Sequence, residues 1–237
     1  MRELLNDGKG SAMELGSEFG PKILAIGGAV IKTGAHEILA QLVGLDEIQM
    51  LIHNGGSLFH DFQLATDEDL QARGITSYPL DELIVDYSVN EAASHLVWSW
   101  LLGETEAPEG SLTQRCEASD VPVLMFTVLG ADFWQLFELQ GRTWADAADR
   151  MEADFSRLCA HLSLPFHYIC MGSAVIHPEV FTKALAVIGR LPREFRADVV
   201  DFLDMYRPRT RVAKYGHYYQ MNHREFANMW LEETTNL

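Results

Sequence analysis

The chain has 237 residues and is 48% apolar, enough to bury a sizeable core. Its 34 acidic residues against 18 basic ones give a formal net charge of -16, which repels phosphate backbones and anionic membrane surfaces and so argues against nucleic acid or membrane as partners. No apolar run approaches the ~18 to 20 residues that span a bilayer, and the opening MRELLNDGKGSAMELGSEFG lacks the charged-then-apolar order of a signal peptide, so a cytoplasmic protein is expected.

Taken in chain order, residues 1–21 mix Gly, Ser and acids without periodicity and read as a flexible leader. Residues 22–237 read as one domain. KILAIGG (22–28) is a buried strand, and GAHEILAQLVG (34–44) carries helical spacing and ends on Gly44 as a C-cap. IQMLIHN (48–54) is a second strand that runs through Gly55-Gly56-Ser57 into a second helix. DELIVDYSVNEAASHLVWSWLLG (81–103) reads as a long helix, and the polar stretch Gly103 to Asp120 as a surface excursion. VPVLMFTV (121–128) is another core strand, TWADAADRMEADFSRLCAHL (143–162) an amphipathic helix, and FHYICMGSA (166–174) a strand entering a Gly-Ser turn. Pro178 opens PEVFTKALAVIG, ADVVDFLDMY (197–206) reads as the last strand, and HREFANMWLEE (223–233) as a closing helix. Continuously apolar strands alternating with helices define an α/β, Rossmann-like fold, a mostly parallel sheet with helices on both faces.

In such sheets ligands sit beyond the carboxyl ends of the strands, where turns expose backbone N–H groups. Three turns have that character: Gly27-Gly28 with Thr33-Gly34, Asn54-Gly55-Gly56-Ser57, and Gly172-Ser173-Ala174. Glycine there admits a pyrophosphate, and Thr33, Asn54, Ser57 and Ser173 offer hydrogen bonds to ribose or phosphate; glycine in a tight turn also has a purely steric use. Lys32 beside the first turn is a natural companion for a phosphate. His60-Asp61 pairs an imidazole with a carboxylate, either for acid–base work or for an ordinary helix-capping role. Glu179 and Asp204 stand near strand ends, from which they could hold a cationic amine or cap helices. His217, His223 and Glu225 are spaced as in no zinc signature, so no metal is expected. Cys116, Cys159 and Cys170 are widely spaced and read as reduced structural thiols. The five tryptophans fall mostly on helical faces, as core or subunit-interface residues.

Four segments together carry a resemblance. AIGGAVIKTGAHEIL, MLIHNGGSLFHDFQLA, YICMGSAVIHPEVFTKAL, and DMYRPRTRV followed by NHREF resemble successive motifs of the deoxyhypusine synthase family, and its bacterial synthase-like relatives most of all. The resemblance implies a Rossmann-like subunit that binds NAD, assembled as a homo-oligomer, a dimer or tetramer, with active sites at a subunit interface. The family oxidises spermidine with NAD and moves its aminobutyl group through an enzyme lysine. Carried over by position, Val30 to Gly34 and Asn54 to Ser57 line the NAD site, Asp61 matches the acid ending the second motif, and Gly172 to Ala174 the turn before the catalytic lysine. His177 stands where that lysine is expected, and an imidazole cannot form its imine. The polyamine-binding histidine falls near Asp132 to Leu136, where the chain reads DFWQL. The expectation is an NAD-dependent enzyme acting on a polyamine or other small amine, by aminoalkyl transfer or amine oxidation, with His177, His60 and Asp61 as acid–base groups and Asp132 and Glu179 toward the amine. The alternative is a catalytically inactive protein that binds NAD or polyamine, or serves in assembly.

Overall fold

A computed structural model of the protein describes residues 19–66, 87–128 and 143–236. The strands are β1 (Lys22–Ile26), β2 (Met50–Asn54), β3 (Val123–Phe126), β4 (Phe166–Met171), β5 (Phe195–Asp201) and β6 (Tyr218–Gln220). The helices are α1 (Gly28–Lys32), α2 (Ala35–Gly44), α3 (Gly55–Thr66), α4 (Tyr87–Leu101), α5 (Leu112–Ala118), α6 (Trp144–Leu162), α7 (Ile176–Ile188), α8 (Tyr206–Arg211) and α9 (His223–Thr235), with a 3₁₀ turn at Ala213–Tyr215. The strands form one sheet in the order β3-β2-β1-β4-β5-β6, and every pairing is parallel.

Parallel strands need crossovers that lay helices on the two faces, which is why β1 to β5 are apolar almost throughout. Successive side chains go to opposite sides. Leu24, Ile26, Leu51, Ile169, Met171 and Val200 pack with α2, α3 and α9. Ile23, Ala25, Ile52, Tyr168, Cys170 and Val199 pack with α6 and α7. The order reverses between β1 and β4, so the loops that leave these two strands flank the switch point of the sheet.

The outer edge of β3 is covered by side chains. Asp154 of α6 is fully buried and accepts the Met125 N–H at 3.0 Å, while Arg150 donates Nη2 to the Val123 carbonyl at 3.3 Å and Nε to Asp154 at 3.1 Å. One ion pair thus meets both kinds of backbone group that a further strand would have met.

Most of the elements read from the sequence are present, with four departures. Helix α2 ends with Leu45 as its C-cap, so Gly44 is its last turn and not a cap. A five-residue helix, α1, separates the Gly27-Gly28 turn from Thr33-Gly34. The stretch 103–120 is more than a surface excursion, because it contains α5, which buries Leu112, Thr113 and Cys116 beneath the N-cap Ser111. Strand β5 is not the last, since Tyr218–Gln220 adds β6 beyond it.

Candidate functional site at the carboxyl edge of the sheet

Three chain reversals meet at the carboxyl ends of β1, β2 and β4. Gly27 donates its N–H to the Met171 carbonyl at 2.9 Å, and a Cβ built on Gly27 would lie 1.9 Å from the Gly172 oxygen. Gly172 has φ +64, and its own Cβ would meet His223 at 2.8 Å and Val30 at 3.0 Å. A Cβ on Gly28 would lie 3.2 Å from the His60 ring and 3.4 Å from Gly56. Backbone thus meets backbone at Gly27, side chains of Val30, His60 and His223 close over Gly172 and Gly28, and Gly28, Asn54, Gly56, Gly172 and Ala174 remain half-buried along the rim.

The second turn is held by a reciprocal cap. Asn54 Oδ1 accepts the Ser57 N–H at 2.8 Å, and Ser57 Oγ accepts the Asn54 N–H at 3.0 Å. Ser57 is completely buried and continues into a polar chain: Ser57 Oγ to His53 Nδ1 at 2.9 Å, His53 Nε2 to Thr113 Oγ1 at 3.2 Å, and Thr113 Oγ1 to Asp61 Oδ2 at 2.7 Å. Asp61 also accepts the backbone N–H groups of Leu112 and Thr113 at 2.8 and 2.9 Å. A carboxylate only accepts, so the Thr113 hydroxyl hydrogen points at Asp61. Its lone pair then takes the hydrogen of His53 Nε2, which leaves His53 Nδ1 an acceptor for the Ser57 hydroxyl, alongside the Ile26 and Asn54 carbonyls at 3.0 and 3.1 Å. Every tautomer in the chain follows from Asp61. Burial, opposed by the charge of Asp61, pushes His53 down to about 4, so it is neutral.

The sequence candidates fall in distinct places. His177 is fully buried, with Nε2 donating to the Ile26 carbonyl at 2.9 Å and its backbone N–H on Ser173 Oγ at 3.4 Å; burial lowers its pKa to about 4. A ring with no exposed surface fixes the β1 and β4 loops to each other. Asp61 caps α5 from 51 residues away, the capping reading of the His60-Asp61 pair. His60 lies beside Gly28, with Nδ1 3.3 Å from Gln63 Oε1; burial and the charge of Lys32 lower it to about 4. Lys32 ends α1 half-buried. Thr33 donates its hydroxyl to Val30 at 2.9 Å, and Gly34 is buried in the left-handed turn that opens α2, so both stand a helix away from the strand end. Glu179 is matched by Arg207 and Arg211 of α8, which leaves it badly placed to hold an amine. Asp204 pairs with Arg209. His223 packs over Gly172, whereas His217 belongs to a separate network in which Asp198 binds His167, Arg196 and the His217 backbone. Asp132 lies outside the described residues.

Sequence reasoning missed His53, Thr113 and the covering role of His223. A histidine inside the apolar run MLIHN was the available signal, since a buried imidazole needs polar partners. For α5 the signal was Ser111-Leu-Thr-Gln114, a capping pattern whose Ser111 Oγ does accept the Gln114 N–H at 3.0 Å.

The sheet and its site define a doubly wound, Rossmann-like α/β protein. No family model and no curated relative matches the chain. Solved structures do. A candidate LOR/SDH protein of Methanococcus maripaludis S2 superposes with a TM-score of 0.63 at 15% identity, over 92% of this chain and 63% of that one. AgrE, solved with ornithine and NAD+, gives 0.62 at 13%, over 92% and 30%. A candidate deoxyhypusine synthase of Entamoeba histolytica gives 0.53 at 9%, over 90% and 74%. The chain therefore spans less than two thirds of the first two, and at these identities the likeness establishes the fold. The resemblance read from the sequence agrees with it at that level. Among the described residues no helix is long and apolar enough to cross a membrane.

Proposed function

We propose that the carboxyl edge of the sheet binds NAD and that the protein uses it on a small amine. The observation that carries this reading is the convergence of three glycine turns beyond the ends of β1, β2 and β4, beside the switch point, where Gly28 and Gly56 stand half-buried in the first turns of α1 and α3. Helix starts of this kind suit a pyrophosphate. Gly28 and Gly56 would approach it, Asn54 would hydrogen-bond to it, and Lys32 would supply the cation, while Gly27 and Gly172, whose N–H groups are bonded to Met171 and Val200, hold the turns in place. The neighbour solved with NAD+ and ornithine supports both the cofactor and the amine class. NAD, when bound, supplies a hydride acceptor.

The chain's own part is binding, orientation and a proton. His60 is the acid–base residue of this proposal, because it alone of the three candidates lies against the glycine rim; burial and the charge of Lys32, which lower it to about 4, keep it neutral and a weak base, so it takes a proton only from a group that the reaction makes acidic. Ser57, His53, Asp61 and His177 hold the frame. The proposal includes a homo-oligomer, for which the exposed side chains of Val175, Leu203 and Tyr206, which follow β4 and β5, are candidate contacts.

The test is thermal unfolding with NAD, with and without spermidine, ornithine or other small amines. At a hundredfold excess over Kd, binding adds about 2.7 kcal/mol, a rise of roughly 5 to 10 °C for a chain of this size. Lys32→Ala should weaken NAD binding about tenfold. No rise with NAD at any concentration would overturn the reading. A second reading, a catalytically inactive NAD holder, is favoured by the structural employment of Asp61 and His177. NADH formation with any amine in the panel would exclude it.

A further inference from the structure

Charge is unevenly spread along this acidic chain. Residues 183–214 hold eight of its 18 lysines and arginines and only four acids. Part of this cluster lines a cleft of about 340 Å³ between the second half of α7 and the corner made by α8 and the 3₁₀ turn. On one side Thr182, Leu185, Ala186 and Gly189 follow one another at helical spacing and form a stripe along α7. On the other stand Arg211, Lys214 and Tyr215. The Lys214 ammonium lies 4.6 Å from the centre of the Tyr215 ring, which keeps the cation at the lip. Glu179 faces two guanidiniums, Arg207 and Arg211, so this one carboxylate leaves the group net positive before Lys214 is added. The position of a Cβ on Gly189 meets nothing within 4 Å, so the cleft is open at that end. None of the residues of the carboxyl-edge site lines it.

We infer that this cleft binds a small amphipathic anion, a carboxylate or phosphate head on a short apolar body. The head sits between Arg211 and Lys214, where an ionised acceptor gains most from charged donors. The body lies on Leu185, Ala186 and the face of Tyr215. A polyamine is repelled by the same cations. The volume is at the lower end of the range for small-molecule sites, which fits a ring-sized body and not a dinucleotide.

Titration calorimetry of the full chain with phenyl phosphate, benzoate and inorganic phosphate tests this. Saturable binding of phenyl phosphate or benzoate, at least about tenfold tighter than inorganic phosphate, is expected, and the stronger of the two arms identifies the head. Lys214→Gln should weaken it about tenfold and Ala186→Phe should abolish it. Both side chains are exposed, so both variants should melt with the parent. Added NAD should leave the affinity unchanged. The inference is overturned by absence of saturable binding, by equal affinity for inorganic phosphate, or by unaltered binding in both variants.

Discussion

The carbonyl oxygen of Gly172 occupies the space in which a side chain on Gly27 would begin, 1.9 Å from the ideal Cβ position. Two strands separated by most of the chain are locked at their tips by this contact. Gly27→Ala should therefore be severe, costing more than about 3 kcal/mol, because the obstruction is backbone and cannot swing aside. Gly189→Ala is the matched control: it meets open space and suffers only from its left-handed φ of +67, about 1 kcal/mol. Urea midpoints of the two variants check the contrast, and equal losses would refute it.

The chain from Asp61 to Ser57 should behave as one unit. Asp61→Asn places an amide where Thr113 and two backbone donors need acceptors, and should cost about 3 kcal/mol. His53→Phe removes the next link. If the hydrogens are ordered from Asp61, the double variant loses less than the sum of the two by about 1 to 2 kcal/mol. Strict additivity would show that His53 and Asp61 act separately.

Four histidines, His53, His60, His177 and His223, are lowered from 6.5 to about 4, chiefly by burial. Each stays neutral while the protein is folded and gains a proton on unfolding below about pH 6.5. Their contribution is therefore fully present above pH 6.5 and is lost as pH falls toward 4, at up to about 1.4 kcal/mol per pH unit for each. Stability measured from pH 7.5 down to 4.5 should be flat and then fall steeply. His177→Gln should remove about one proton from that slope, and an unchanged slope would mean that the ring is already charged in the folded protein.

The ion pair at the edge of β3 guards an otherwise adhesive row of backbone groups. Asp154→Ala frees the Met125 N–H and leaves Arg150 beside the strand without its carboxylate. Light scattering on warming should show earlier association of this variant than of Asp149→Ala, in which an acid is removed on the same helix but β3 stays covered. Identical scattering curves would mean that α6 shields the edge by bulk alone.

Local pattern revealed what burial makes continuous. Runs such as KILAI, MLIHN and FHYICM are apolar because both faces of their strands are covered, and they were legible for that reason. Tyr218–Gln220 has three residues, each half-buried or exposed, and gives no such signal. The glycine turns of the candidate site were legible as well, because backbone contact demands glycine whatever the fold. The duties of Asp61 and His177 were not. Asp61 serves a helix that begins 51 residues later, and His177 serves a carbonyl 151 residues earlier, so neither relationship leaves a trace in neighbouring sequence.

The sheet order also sets a timetable. Of the six described strands β1 is made first, yet one of its two partners, β4, begins at Phe166. As the chain emerges during synthesis, β1, β2 and β3 can assemble into only half of this sheet, with the Lys22–Ile26 strand as an open flank at what will become its centre. That flank stays sticky until the residues from Phe166 onward have been made. Docking of β4 against it, the most distant of the strand pairings, is the step on which the speed of folding should depend.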